Sequence, residues 1–306
     1  MRREVLLVLI LIFACSELVY SASDGLRVPM VFNEPTENAK KVFAELEKYD
    51  HVMSLAYITQ EMIESGWLER MIENKLVFDV NVGNMNLVVR AMKILKSVNK
   101  ETKYKHGYAG FKMNTKRAFT LKKLIKLDRL ITKKADGLHN FYIEIPATPV
   151  GLETGIAAIC DHGINIKWTG ISTLEGYEAC VAAYKEAKRD LSKLKEGPYG
   201  VSFAGIVPSS IDVQNFYFIL ARDFLYDQEW KRCSRENNIG LQRISWERKN
   251  VTSPEEIKDV RFSGTVSNVS PGLVKTMIER TPLWGKTRDF DLSFRFEGQK
   301  TIRSGI

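Results

Sequence analysis

One acidic side chain lies within a stretch that otherwise has the composition of a buried strand. Residues 141–145 form a short apolar and β-branched run between two prolines, and Glu144 is its only charge. Alternation along a strand places Tyr142 and Glu144 on one face. A buried carboxylate costs free energy unless a cation pairs with it. We expect an ionic cluster at the centre of a parallel barrel; the alternative is that Glu144 lies at the strand's polar edge.

Two lysines are candidates for the pairing cation. Lys112 and Lys167 lie in the predicted strands on either side of Glu144, near residues 106–113 and 164–170. Alternation turns all three side chains into the barrel interior. The sequence therefore predicts a Lys112–Glu144–Lys167 cluster. Such a cluster avoids an orphan buried charge, although it need not stabilise the fold relative to an apolar core.

The elements that position these side chains alternate between strand and helix. Strands are predicted near residues 52–58, 77–82, 106–113, 140–146, 164–170, 199–206, 241–246 and 261–266. Helices are predicted near residues 59–73, 85–99, 116–135, 150–162, 173–195, 210–236, 254–259 and 271–280. This alternation favours an α/β fold, a closed (β/α)8 or TIM barrel, over an open doubly wound sheet. We expect the barrel over residues 51–280, an extra helix within an N-terminal extension at 22–50, and an irregular tail at 281–306.

Segments spread along this barrel resemble the transaldolase family. The resemblance is carried by Phe-Tyr-Ile-Glu-Ile-Pro-Ala-Thr-Pro at 141–149 and, in the same order as in the family, by residues 63–72, 163–166, 177–184, 190–193, 201–203, 227–231 and 266–270. It implies a barrel of the transaldolase type. The family forms a Schiff base between a lysine and a sugar, without a cofactor, and transfers dihydroxyacetone between sugar phosphates of the pentose phosphate pathway.

The family's catalytic positions carry other residues in this chain. The resemblance places Glu144 at the Schiff-base lysine, and it places the first strand's acid, the second strand's asparagine, the third strand's glutamate and the fifth strand's asparagine at Ala56, Gly83, Lys112 and Lys167. Of the inner set, only Thr169 persists. The phosphate-binding arginine has no counterpart near Val207. Arg248 and Lys249 could meet a phosphate, although they fit exposed loop cations equally well.

Two functions follow from these replacements. The first is a catalytically inactive transaldolase-like barrel, a pseudoenzyme that acts as a binding or scaffold protein. The second is an active transaldolase or aldolase whose Schiff-base lysine has moved to Lys112 or Lys167. A lysine beside another cation can have a lowered pKa, but Glu144 opposes that effect. No nearby acid replaces the one lost at Ala56, so we favour the inactive barrel.

The N-terminus has the pattern of a secretory signal peptide. Arg2 and Arg3 precede an apolar run, and residues 19–21 fit a cleavage site, so we expect residues 1–21 to be removed. The run is too short for a comfortable membrane span, and no transmembrane anchor is expected after cleavage. The protein is therefore expected in the secretory pathway, either secreted or delivered to a vacuole or organelle. Asn250 and Asn268 begin glycosylation sequons.

Charge and residue spacing limit the classes of partner. The formal net charge is +8, which favours an anionic ligand such as a sugar phosphate, or an acidic protein or surface. Lysines and arginines cover one face of the helix over residues 116–134, either as a solvated face or as a docking surface. Nucleic-acid binding is not expected, because no recognition module accompanies these charges. No metal-ligand spacing is present, and Cys160 and Cys180 are predicted to pack inside.

Overall fold

A computed structural model describes residues 52–73, 77–113, 120–188, 199–208, 217, 242–247 and 265–270. The predicted signal peptide, the N-terminal extension and its helix, most of the helix near 210–236, the helices near 254–259 and 271–280, and the C-terminal tail lie outside the described residues. Arg248 and Lys249 also lie outside them.

The described strands form a closed, all-parallel, eight-stranded barrel in sequence order. The strands are β1 (Val52–Leu55), β2 (Asp79–Val82), β3 (Ala109–Lys112), β4 (Phe141–Pro146), β5 (Ile166–Ile171), β6 (Ser202–Ile206), β7 (Arg243–Trp246) and β8 (Thr265–Val269). Closure occurs where Val52 of β1 pairs with Val266 of β8. With helices between the strands, this arrangement confirms the predicted (β/α)8 barrel.

Seven described helices connect the strands or cover them. They are α1 (Gln60–Glu64), α2 (Trp67–Glu73), α3 (Met85–Ile94), α4 (Lys96–Glu101), α5 (Leu121–Lys134), α6 (Pro149–His162) and α7 (Leu174–Ala187). Side-chain oxygens at the N-caps accept hydrogen bonds from first-turn amides of α1, α3, α5, α6 and α7. These caps satisfy donors that a helix start leaves unpaired, so the local sequence fixes where each helix begins.

Several predicted boundaries were wrong. The helix predicted over 59–73 is two helices, because Gly66 adopts a φ of 68° between them. The helix predicted over 85–99 is interrupted at Leu95 and resumes as α4, ending at Glu101. The first strand ends at Leu55 rather than near residue 58, because Tyr57 has a φ of 59° that a strand does not accommodate. The eighth strand extends three residues beyond its predicted end.

The faces of β4 follow the alternation that the sequence predicts. Tyr142 points inward and packs against the Phe203 ring at a centroid distance of 4.8 Å. On the neighbouring strand Trp168 points outward, and its indole Nε1 donates to the Gly151 carbonyl of α6 at 3.1 Å. The inner face of β4 therefore leads from Tyr142 up to Glu144, while its outer face packs against helices.

The barrel interior changes from apolar to polar toward the carboxyl ends of the strands. The apolar layer consists of Val52, Tyr108, Tyr142, Val201, Phe203 and Val266. At the top of this layer the Tyr142 hydroxyl donates to Asn81 Oδ1 at 2.6 Å, and Asn81 Nδ2 donates to Asn268 Oδ1 at 3.2 Å. These polar side chains satisfy one another's hydrogen-bonding groups. They separate the apolar layer from the charged residues nearer the carboxyl ends of the strands.

Two further sequence predictions concern surface and packing. Cys180 is buried as predicted, but Cys160 is only partly buried, so the prediction was wrong for that residue. On α5, Leu124 and Ile131 are buried, whereas Lys122, Lys123 and Lys126 are exposed. No helix in the described part of the chain is both long and apolar enough to cross a membrane.

Candidate functional site

A buried lysine lies between two carboxylates at the centre of the barrel. Lys167 Nζ is 3.2 Å from Glu144 Oε1 and 2.7 Å from Glu247 Oε1. The lysine is fully buried and Glu144 is 7% exposed. Both contacts are ion pairs, because the two N–O distances fall within the range of a salt bridge. Glu144 thus lies inside the barrel rather than at the polar edge of its strand.

Strand register brings the first two of these charges together. Glu144 of β4 is the direct partner of Lys167 of β5, and both occupy inward positions. The Lys167 ammonium also lies 5.7 Å from the centroid of the Tyr142 ring beneath it. The Lys167 amine is therefore surrounded by one aromatic ring and two carboxylates.

The electrostatics of this site keep Lys167 protonated. Burial lowers the pKa of Lys167, but the Glu144 and Glu247 carboxylates outweigh burial and raise it well above its ordinary value. An ammonium has no lone pair with which to attack a carbonyl. As built, the central amine is an ion-pair partner and not a nucleophile.

The structure places Lys112 apart from this pair. Lys112 is the register partner of Glu144, but it is the last residue of β3 and its side chain is exposed. Its Nζ lies 3.4 Å from the Tyr57 hydroxyl, and it forms no ion pair with either carboxylate in the described part of the chain. The predicted three-residue cluster is thereby corrected: Glu247 replaces Lys112 as the third member. Strand register brings Lys112 and Glu144 side by side, but the long Lys112 side chain at the last residue of β3 extends into solvent.

Lys112 and Tyr57 form a rim above the buried charges. Partial burial lowers the pKa of Lys112, but Tyr57, Glu144 and Glu247 raise it more, so it lies above its ordinary value. Tyr57 is 55% exposed, and the Lys112 ammonium lies 6.0 Å from its ring centroid. Within the described residues, the mouth therefore presents an accessible cation beside an accessible aromatic ring.

The remaining predicted positions add little chemistry. The Thr169 hydroxyl donates to the Ile145 carbonyl at 3.3 Å, so it braces the β4–β5 pair. Ala56 supplies no acid at the end of β1, and its amide donates to the Val269 carbonyl. Within the described residues, no group of histidine, cysteine and acidic side chains could hold a metal ion.

Sequence reasoning missed Glu247, which immediately follows β7. Its neighbours 248–250 are Arg-Lys-Asn, and the sequence prediction for this short loop considers its two cations only. No sequence pattern marks this residue; the structure shows its place beside Gly205 on the adjacent strand, where a built Cβ would lie 2.8 Å from Glu247 Oε1. The glycine makes room for a carboxylate from the next strand.

Comparisons with known proteins add no assignment. No family model matches the chain, and no curated protein matches it.

Proposed function

We propose that this chain is a catalytically inactive barrel of the transaldolase type, exported and used as a binding or scaffold protein. The observation that carries this proposal is the position of Lys167 between Glu144 and Glu247. Schiff-base chemistry needs a neutral amine and a group that moves protons at the carbonyl. Here the central amine is held charged, and Ala56 occupies the position of the family's first-strand acid.

The rim suggests what such a barrel would bind. Lys112 is accessible and protonated, and Tyr57 offers a ring beside it. A cation next to an aromatic face suits a small anionic ligand with a flat or ring-shaped body, of which a sugar phosphate is one example. Binding at the mouth would leave the buried ion pairs intact.

Borohydride trapping tests the proposal that the barrel is catalytically inactive. The protein is incubated with fructose 6-phosphate, reduced with borohydride, digested and mapped by mass spectrometry, in parallel with a transaldolase that retains its lysine. We expect an adduct on the parallel enzyme and none on this chain. An adduct on Lys112 or Lys167 that disappears in the corresponding Lys→Met variant would instead establish a relocated Schiff base.

A binding titration tests the mouth separately. Fructose 6-phosphate is titrated by calorimetry into the parent protein, a Lys112→Met variant and a Lys126→Met control on the exposed face of α5. We expect Lys112→Met to weaken binding about tenfold, because one charge-assisted contact is lost. Equal affinities for the two variants would remove the mouth as the site.

A separate experiment tests the proposed export of the protein. Expression in a secretory host is expected to give a mature chain that begins at Ala22. A product that retains Met1 inside the cell would contradict export without affecting the trapping result.

A further inference from the structure

A cluster of ionisable side chains lies at the base of the barrel, the end that the amino termini of the strands form. Asp79 is the first residue of β2, His106 precedes β3, and Arg243 is the first residue of β7. Strands β3 and β7 occupy the third and seventh of the eight places around the barrel, so they lie on opposite sides of it. The cluster is separate from the charged residues at the carboxyl ends of the strands.

The Arg243 side chain crosses the base of the barrel to reach His106. Its Nη1 lies 2.7 Å from His106 Nδ1 and also donates to the Lys105 carbonyl at 3.0 Å. A guanidinium can only donate hydrogen bonds, so Nδ1 must be the acceptor. The His106 imidazole is therefore neutral in this arrangement and carries its proton on Nε2. The bond to Arg243 exists only while Nδ1 is unprotonated.

The Asp79 carboxylate offers His106 a second partner. Its Oδ1 accepts from the Tyr108 amide at 2.7 Å, which anchors the carboxylate. Its Oδ2 has no hydrogen-bond partner in the described part of the chain and lies 3.8 Å from His106 Nδ1. Asp79 is 1% exposed and His106 is 6% exposed, so both groups are largely shielded from water. Shortening this distance to the roughly 2.8 Å of a charge-assisted hydrogen bond takes about 1 Å of movement.

The main chain of His106 is held on both sides. Its amide donates to Thr102 Oγ1 at 3.1 Å, and its carbonyl accepts from Asn99 Nδ2 at 2.6 Å. The imidazole lies beside the Phe78 ring at a centroid distance of 5.5 Å. A small rotation of the side chain is therefore enough to exchange one partner of Nδ1 for the other while the backbone stays in place.

The other titratable groups around His106 keep their protons as the pH falls from neutral. Lys105 is exposed and contacts the cluster through its carbonyl. Burial raises the pKa of Tyr108, so its hydroxyl stays neutral, and this hydroxyl donates to the Tyr104 carbonyl at 2.8 Å. The Arg243 guanidinium stays charged. Of the side-chain types in this cluster, histidine ordinarily titrates closest to neutral pH.

From this geometry we propose that His106 is a proton-operated switch that ties β7 across the base of the barrel to the chain before β3. While Nδ1 is unprotonated, Arg243 donates to it and the tie is closed. When a proton from solvent binds Nδ1, the bond to Arg243 breaks and the new Nδ1–H donates to Asp79 Oδ2. The three side chains, which were neutral together, then carry one positive charge. The Arg243 guanidinium is repelled from the imidazolium and keeps at most its contact with the Lys105 carbonyl.

Imidazole NMR of the full chain, labelled with nitrogen-15, tests the closed state of the switch. The His106 resonances are assigned from their absence in a His106→Gln variant. We expect Nδ1 of His106 to be the unprotonated ring nitrogen in the parent protein at pH 8, because Arg243 donates to it. A proton on Nδ1 at this pH would overturn the proposal, and this result does not depend on whether any other variant folds.

Two variants should move the midpoint of the His106 titration in opposite directions. Arg243→Met removes the cation that opposes protonation, so the midpoint should rise by at least about one pH unit, whereas Asp79→Asn should lower it by a similar amount. Arg90→Met and Asp136→Asn remove the same charges from ion pairs at exposed positions and should shift the midpoint by less than about 0.3 unit. Shifts in the same direction, or shifts no larger than those of the controls, would overturn the proposal.

Hydrogen exchange shows whether protonation opens the tie. After correction for the intrinsic effect of pH on exchange, the β7 amides of the parent should lose at least about threefold in protection across the His106 titration. In Arg243→Met their protection should be lower at the start and unchanged by this titration. The same pH dependence in the parent and in Arg243→Met would overturn the role of Arg243. Thermal unfolding confirms that each variant is folded.

Discussion

Replacing Lys188 with methionine should stabilise this protein, and by an amount that depends on pH. Lys188 lies at the C-terminal end of α7, is 1% exposed, and its Nζ has no hydrogen-bond partner in the described part of the chain. Burial lowers the pKa of Lys188 from 10.5 to about 7, opposed weakly by Cys160. The Tyr184 ring, 5.3 Å from the amine, is a further close group. The buried position thus disfavours the charged form of the side chain.

The direction in which stability changes with pH follows from the difference in proton binding between the unfolded and the folded chain. Between pH 7 and 10.5 the unfolded chain holds a proton on Lys188 that the folded chain does not. The free energy of unfolding therefore rises with pH in this window, by about 1.4 kcal/mol per unit. The loss of stability caused by burying the charged Lys188 side chain is about 5 kcal/mol at and below pH 7, and it disappears as the pH approaches 10.5. Local relaxation reduces this amount, so a gain of about 3–5 kcal/mol is expected from Lys188→Met at pH 7.

Urea unfolding of the parent and the variant at pH 7 and pH 9 measures this gain. The gain should decrease by about 2–3 kcal/mol between the two pH values, because at pH 9 the parent has lost most of the destabilisation caused by the buried charge. Lys126→Met on the exposed face of α5 is the control and should change stability by less than about 0.5 kcal/mol. A gain that is equal at both pH values would refute the reasoning, as would a destabilising Lys188→Met.

Three further predictions concern charge and space inside the fold. Lys167→Met should lower the free energy of unfolding in urea by about 3–5 kcal/mol, because it leaves the buried Glu144 and the partly buried Glu247 without their cation; a loss no larger than that of Lys112→Met would contradict the central ion pairs. Gly205→Ala should cost about 1–3 kcal/mol by displacing Glu247, and an unchanged melting temperature would show that the carboxylate has room. Burial raises the pKa of Asp128 to about 6, opposed by the neighbouring arginine. Stability should therefore fall by about 1–2 kcal/mol as the pH rises from 4 to 6, after a discount for partial exposure, and Asp128→Asn should abolish this slope in urea titrations.

The fold was predictable because its signals are local and repeated. Several strands are short and largely apolar, as β4 is, and most described helices begin after a threonine or asparagine that caps them, as Thr148 does before α6. Two of the boundaries that failed depend on single residues with a positive φ. Gly66 divides one helix and Tyr57 ends β1, and neither outcome follows from hydrophobic periodicity.

The site was only partly predictable, for a different reason. Alternation and strand order are enough to bring Glu144 and Lys167 together, because adjacent parallel strands align inward positions. They do not determine how a side chain at the last residue of a strand is oriented, and Lys112 turns toward Tyr57 there. Glu247 needed three-dimensional information, namely that the space left by Gly205 on β6 is filled from β7.

The closure of the barrel through β1 and β8 has a consequence for how the chain is made. These strands stand at opposite ends of the barrel sequence, yet they are neighbours in the sheet. A ribosome releases the partner of β1 only after the other six strands have been synthesised. Until then β1 and the most recently made strand each present an unpaired edge, which is open to pairing with other chains. A chain truncated before Thr265 would keep both edges permanently, so aggregation during synthesis depends on how quickly the last strand arrives.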